Sequence, residues 1–180
     1  MTEPQNPDQI MPTEGAAEAQ FQIQKLYTKD VSFEVPNAPQ VFQEMGQADV
    51  KMNLSQRVEA LTEGAHEVVL TVTVTATVGE KTAYLAEVAQ AGIFLISGFN
   101  DQATNAVINT LCPNTLFPFA RQVISTLVLD GGFPPLPLQP VNFDQLYAQR
   151  MQQIMEEQKN EAEGSQGNGE AGQAEFSSDN

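Results

Sequence analysis

Residues Glu67–Val78 read EVVLTVTVTATV, and this alternation constrains the fold more than any other stretch. Val68, Leu70, Val72, Val74, Ala76 and Val78 fall on one side of an extended backbone, and Thr71, Thr73, Thr75 and Thr77 on the other. A repeat of two belongs to a strand, not a helix. One oily face and one wet face imply an antiparallel sheet covered on one side only.

Three further stretches share the repeat. FQIQKLYTKDVSFEV (21–35) sets Phe21, Ile23, Tyr27, Val31, Phe33 and Val35 against Gln22, Gln24, Thr28, Asp30, Ser32 and Glu34, with Leu26 out of phase. VKMNLSQRVEAL (50–61) keeps Val50, Met52, Leu54 and Val58 in step. A tight turn at Gly79–Glu80 leads into KTAYLAEVAQAGIFLIS (81–97). The segment 36–48, PNAPQVFQEMGQA, is too long for a hairpin turn and is expected to cross the sheet, so that the first two strands need not be neighbours.

After Ser97 the repeat changes to 3.6. Asn100 or Asp101 can cap a helix through DQATNAVINTL, and Pro113 suits the first turn of the next. In that second helix Leu116, Phe119, Ala120, Val123, Ile124, Leu127 and Val128 form a broad apolar stripe, Pro118 should bend the early part, and Gly131 and Gly132 stop it. Asn142 is expected to cap a last helix with Phe143, Leu146, Tyr147, Met151 and Ile154 on its apolar side. Four strands followed by helices make the fold class α+β: a four-stranded antiparallel sheet with helices packed on one side.

Charge narrows the partners. The 180 residues carry a formal net charge of −15, which argues against nucleic acid and anionic lipid. The imbalance sits mostly at the ends: residues 1–20 hold four acids and no base, and 161–180 hold five acids and no base. Both ends lack anything to bury, so the expected organisation is a disordered segment 1–20, a domain over 21–158 and a disordered acidic tail over 159–180. The N-terminus has no basic or apolar signal region, and the longest apolar run, AGIFLISGF, is too short to span a membrane. One cysteine, Cys112, excludes an intrachain disulfide and fits a reducing compartment. These features predict a cytoplasmic location.

Catalytic chemistry has little to work with. The single histidine, His66, reads as a solvated hairpin-turn residue, and Cys112 as a packed or capping residue at a helix start. No second histidine completes a metal set, and no glycine-rich phosphate cradle is present. The expectation is a binding protein, not an enzyme, with no cofactor.

Two surfaces carry the binding argument. The wet sheet face gathers Asp30, Glu34, Leu85 and Glu87 beside the threonine ladder; it is either an ordinary solvated face or a dock for a basic partner. LDGGFPPLPLQPVNF (129–143) is oily yet stiffened by four prolines, so it either seals the core or walls a groove. Met45, Met52, Met151 and Met155 suit a pocket that tolerates varied side chains. The second helix is apolar around much of its girth, which one sheet cannot cover, and this points to burial between subunits.

FQIQKLYTKDVSFEVPNAPQVFQ (21–43), CPNTLFPFARQVIS (112–125) and GGFPPLPLQPVNFDQLY (131–147) resemble the SecB protein-export chaperone family over roughly residues 20–155. The resemblance implies a dimer of dimers joined through the long helices. It implies ATP-independent capture of unfolded preproteins and their delivery to the SecA translocation ATPase, with no membrane insertion. By the same resemblance SecA docks at Asp30, Glu34, Leu85 and Glu87. Client grooves run along Val50, Met52 and Leu54, with Phe42 from the crossover and Phe143, Leu146 and Tyr147 on the far wall. Ala86, Val88 and Gln90 match positions tied to tetramer assembly, and Val123 and Leu127 lie on the helix that joins the dimers. The sequence departs from the family in having Ala86 where a cysteine is frequent and Phe119 where tyrosine is usual. A general holdase, or a non-catalytic adaptor outside the Sec pathway, is the alternative; a chaperone protects several unrelated denatured proteins, an adaptor none.

Overall fold

The computed structural model describes residues 19–44 and 46–166, the last six as backbone only. Strands β1 (Gln20–Glu34), β2 (Asp49–Thr62), β3 (Ala65–Val78) and β4 (Lys81–Ser97) precede helices α1 (Asp101–Asn109), α2 (Leu111–Asp130) and α3 (Phe143–Gln166). Helix α3 passes the boundary expected at residue 158; the rest of the expected acidic tail, the segment 1–18 and Met45 lie outside the described residues.

The strands pair in the order β1-β4-β3-β2, antiparallel throughout. The chain between β1 and β2 therefore crosses from one edge of the sheet to the other, passing through a short 3-10 turn at Gln40–Gln43 that buries Val41. Gly79, at φ +60°, makes the turn between β3 and β4, a conformation that costs glycine least.

Directly opposed residues share a face. One row of partners runs Leu54, Val72, Val88, Val31 across all four strands, and the neighbouring row runs Asn53, Thr73, Glu87, Ser32 on the opposite face. The first face carries the helices. Leu116, Ala120, Ile124 and Val128 recur every four residues along α2 and are fully buried against Val72, Val74 and Val88. Leu116, Ile124 and Val128 each contribute about 1.5–3 kcal/mol by this burial.

The structure departs from four of the sequence expectations. Register shifts at Gln24 and Lys29 flip the parity of β1 between them. Leu26 therefore turns to the helix side and packs on the core, while Tyr27 turns to the helix-free face. His66 is no turn residue: it lies in β3 between Ala60 and Phe94, half-buried, with Nδ1 buried and unpartnered among the described residues. Phe119 leaves the stripe of α2 and stands 48% exposed, because its neighbour Phe117 takes the place in the core. Finally, the helix-free face is polar only in part, since Val69, Ala91, Ile93 and Leu95 share it.

The caps follow expectation. The Asn100 side chain accepts from the Ala103 amide at 2.8 Å, and Asn142 accepts from the Gln145 amide at 3.0 Å. Gly131 closes α2 where the Phe33 ring approaches so tightly that a Cβ would sit 2.3 Å from it. That contact ties the helix end to the β1 edge.

Candidate functional site

The helix-free face brings together Asp30, Glu34, Leu85 and Glu87. Glu34 is opposite Leu85, Glu87 is opposite Ser32 and Thr73, and Asp30 lies on the same side of β1, opposite Ala89. The Thr73 hydroxyl donates to Glu87 Oε2 at 2.8 Å and orients the carboxylate. Asp30, Glu34 and Glu87 form no ion pair among the described residues, so no cation of the chain offsets their charge there.

The bulge at Lys29 is what keeps Asp30 on this face. Lys29 Nζ donates to both oxygens of Glu67, at 2.8 and 2.7 Å, and the Tyr27 hydroxyl donates to Glu67 Oε1. Glu67 is buried, and these donors, Lys29 first, hold its carboxyl below the usual carboxylate range. In return the hydrogen bond to Glu67, followed by burial, pushes the Tyr27 phenol up to about 12. The clamp spans β1 and β3 across β4, and pins the extra residue that alternation could not reveal.

On the helix side, beside edge strand β2, two troughs open. One, of about 550 Å³, lies between β2 and α3, walled by Leu54, Val58, Phe143, Leu146, Tyr147 and Arg150. The other, of about 680 Å³, lies under the crossover, with Phe42, Val50, Tyr84, Phe133 and Leu136 in its lining. The residues expected to line the client grooves fall in two places: Leu54, Phe143, Leu146 and Tyr147 gather in one trough, Phe42 and Val50 in the other, and Met52 lies between them on β2 and lines neither. At a rise of about 3.4 Å per residue, Val50 and Leu54 are about 14 Å apart, so one extended segment can reach both. Phe143 is 6% exposed and packs on Phe117 with ring centroids 6.0 Å apart, which makes it the base of its trough and not an open wall.

The proline-rich loop does both things its composition left open. Leu138 is buried, whereas Phe133 packs with tilted rings between Tyr84, at a centroid distance of 4.8 Å, and Phe42, at 5.2 Å, and faces the second trough. The Ser125 hydroxyl donates to the Leu136 carbonyl at 3.3 Å and holds the loop on α2. Sequence reasoning named neither Phe133 nor Tyr84, and no period in the loop would have singled out Phe133. Arg150 was missed too, although it falls three, four and seven residues after Tyr147, Leu146 and Phe143, on one helix face.

Ala86 and Val88 are fully buried and Gln90 is 3% exposed, all beneath α2, with the Thr28 hydroxyl donating to Gln90 at 3.1 Å. All three are covered within their own chain. Val123 and Leu127 are half-buried against the core, and the outward side of α2 instead shows Leu111, Phe119 and Leu129. Cys112 is buried, and desolvation pushes its thiol up to about 12, which leaves it inert as a nucleophile. Among the described residues no three His, Cys, Asp or Glu side chains cluster as metal ligands, and no helix is long and apolar enough to cross a membrane.

The arrangement suits two simultaneous contacts, apolar on one side and acidic on the other. A model of the family described as preprotein translocase subunit SecB matches residues 14–154. The protein-export protein SecB of Alkalilimnicola ehrlichii is 55% identical over 150 residues, covering 83% of this chain and 79% of its own. That of Xylella fastidiosa is 51% identical over 155 residues, covering 86% and 88%. Among solved structures, a SecB-like chaperone of Mycobacterium tuberculosis in complex with an antitoxin peptide has the same fold, with a TM-score of 0.57 and 18% identity over 68% of this chain and 91% of its own. The family match takes in every residue of the acidic face and of both troughs, and the chain belongs to the SecB family of protein-export proteins.

Proposed function

We propose that this chain is an ATP-independent cytoplasmic export chaperone that holds unfolded preproteins in its two troughs and passes them to the SecA motor. In this reading SecA docks on Asp30, Glu34, Leu85 and Glu87, and the working form is a homotetramer. The observation that carries it is the separation of the two surfaces: the troughs open on the helix side of the sheet and the free carboxylates lie on the other. A client and a basic partner then need not compete for space.

The physics of capture follows from the lining. An unfolded segment exposes apolar side chains, and each one well buried contributes about 1.5–3 kcal/mol. Two troughs per chain, multiplied by assembly, add through effective concentration. The prolines of residues 134–140 keep one wall ordered before a client arrives, which lowers the entropic cost of binding. Selection is kinetic, because fast folders hide their apolar segments before capture. Assembly is supported by the apolar outward side of α2, where Leu111, Phe119 and Leu129 are 42%, 48% and 51% exposed in the single chain.

The test is a three-component titration. Light scattering should give a mass of about four times 19.6 kDa. Saturation with a denatured preprotein should leave the affinity for SecA within about twofold. Displacement of SecA by the client, or a monomeric mass, would overturn the assignment.

A further inference from the structure

Between Thr28 and Val31 strand β1 carries two residues, Lys29 and Asp30, where β4 carries only Ala89, because Thr28 is opposite Gln90 and Val31 is opposite Val88. Two residues thus compete for one place in the ladder. In the structure Asp30 takes that place and Lys29 is the extra residue. The flanks do not decide between them, since both arrangements leave the flanks where they are. Upstream, Leu26 packs on the core and the Thr28 hydroxyl donates to Gln90 Oε1 at 3.1 Å. Downstream, the Phe33 ring stacks on Tyr84 at a centroid distance of 5.9 Å and closes on Gly131. Asp30 forms no ion pair among the described residues and does not hold itself in place. Lys29 is the committed member of the pair: its Nζ donates to both oxygens of the buried Glu67, whose Oε1 also accepts from Tyr27. Moving the bulge by one residue draws Lys29 away and leaves a buried carboxylate without its charged donor, which is unfavourable.

We propose that Tyr27, Lys29 and Glu67 are positioning residues for the acidic face: by holding the bulge at Lys29 they keep an acid, not a base, opposite Ala89. The proposal rests on the SecA-docking reading above and deepens it. Without the clamp, the alternative arrangement sets Lys29 in the place of Asp30, on the face that carries Glu34 and Glu87. A negative charge is then exchanged for a positive one at the dock, while Leu26 and Phe33 keep the helix side as it was. A basic partner senses that exchange, and a client in the troughs does not. Glu67 acts on docking through Asp30, without touching the partner itself.

The test titrates SecA, and separately a denatured preprotein, against full-length variants. Lys29→Gln is the decisive one. It removes a positive charge from a face offered to a basic partner, so charge alone predicts tighter SecA binding. Loss of the clamp predicts weaker binding, by about threefold, because a neutral residue then competes with Asp30 for the place. Glu67→Gln leaves the competing residue a base and should weaken SecA binding more, by about tenfold. Both variants should bind the denatured preprotein within about twofold of the native chain. In methyl NMR spectra both should shift the Ala89 methyl resonance and leave those of Val72 in place. SecA binding by Lys29→Gln as tight as or tighter than native overturns the proposal, as does an unmoved Ala89 resonance. A loss of preprotein binding equal to that of SecA binding also overturns it, since it would mean general loosening of the sheet. If the native chain does not bind SecA, the docking reading fails and the clamp's role with it. If the native chain binds and Lys29→Gln is not weakened, the clamp's role alone fails.

Discussion

The two faces of the sheet are built from the same four strands, yet they are held by different forces. The helix side is closed by packing: Val72, Val74 and Val88 meet Leu116, Ile124 and Val128 with no exposure. The other side has no helix over it and is organised by polar contacts, chiefly Lys29 and Tyr27 on Glu67, and Thr73 on Glu87. Packing tolerates no gaps but is indifferent to pH. Polar contacts leave the surface open for a partner at the cost of sensitivity to protonation. One strand serves both because successive side chains point in opposite directions, so substitutions on one face should leave the other nearly untouched.

The largest expected effect comes from breaking the packed side. Leu116→Ala opens a cavity under the sheet and should lower the free energy of unfolding by about 3 kcal/mol in urea titrations. A loss under about 1 kcal/mol would mean that α2 is not seated as described. Next, Glu87→Lys sets a like charge against a basic partner and should weaken SecA binding by at least about 30-fold, with client affinity unchanged. Normal SecA binding at low and moderate salt would remove the acidic face from the mechanism.

Glu67→Ala tests the clamp and should cost about 2 kcal/mol near neutral pH through the loss of charged hydrogen bonds. Its pH dependence has a definite sign. The folded-state pKa of Glu67 is depressed, so its contribution is present above the usual carboxylate pKa and disappears as pH falls through the lower folded value. The stability gap between variant and native chain should therefore narrow in acid, and a gap that stayed constant would remove Glu67 as the titrating group. The smallest of these effects is that of Leu146→Ser with Tyr147→Ser. It should weaken client binding by about tenfold, since both side chains are only partly covered before capture. An unchanged solution mass and unchanged binding of SecA in a titration would complete the separation of the faces.

The parity argument worked where strands are regular. In β2, β3 and the facing part of β4 every even position from Val50 to Val58 and from Val68 to Ala76 lies on the helix side, as alternation requires. It failed between Gln24 and Lys29, because a bulge inserts one residue without a change in composition. Asp30 still landed on the acidic face, since two bulges restore the phase that one would destroy. The trough residues were legible as apolar, but their division into two sites was not, because it depends on where the crossover and the proline loop come to rest.

The order of hydrophobic and polar residues, read without coordinates, determined that the chain makes an antiparallel sheet with one covered face, and it marked the caps at Asn100 and Asn142. Those are local consequences of side-chain direction and of unpaired backbone donors. Only the tertiary structure decided that Tyr27, Lys29 and Glu67 meet, that Ala86 and Val88 lie sealed beneath α2, and that Arg150 lines a trough. Each of these depends on residues far apart in the chain being brought together, and period and composition carry no information about such distances.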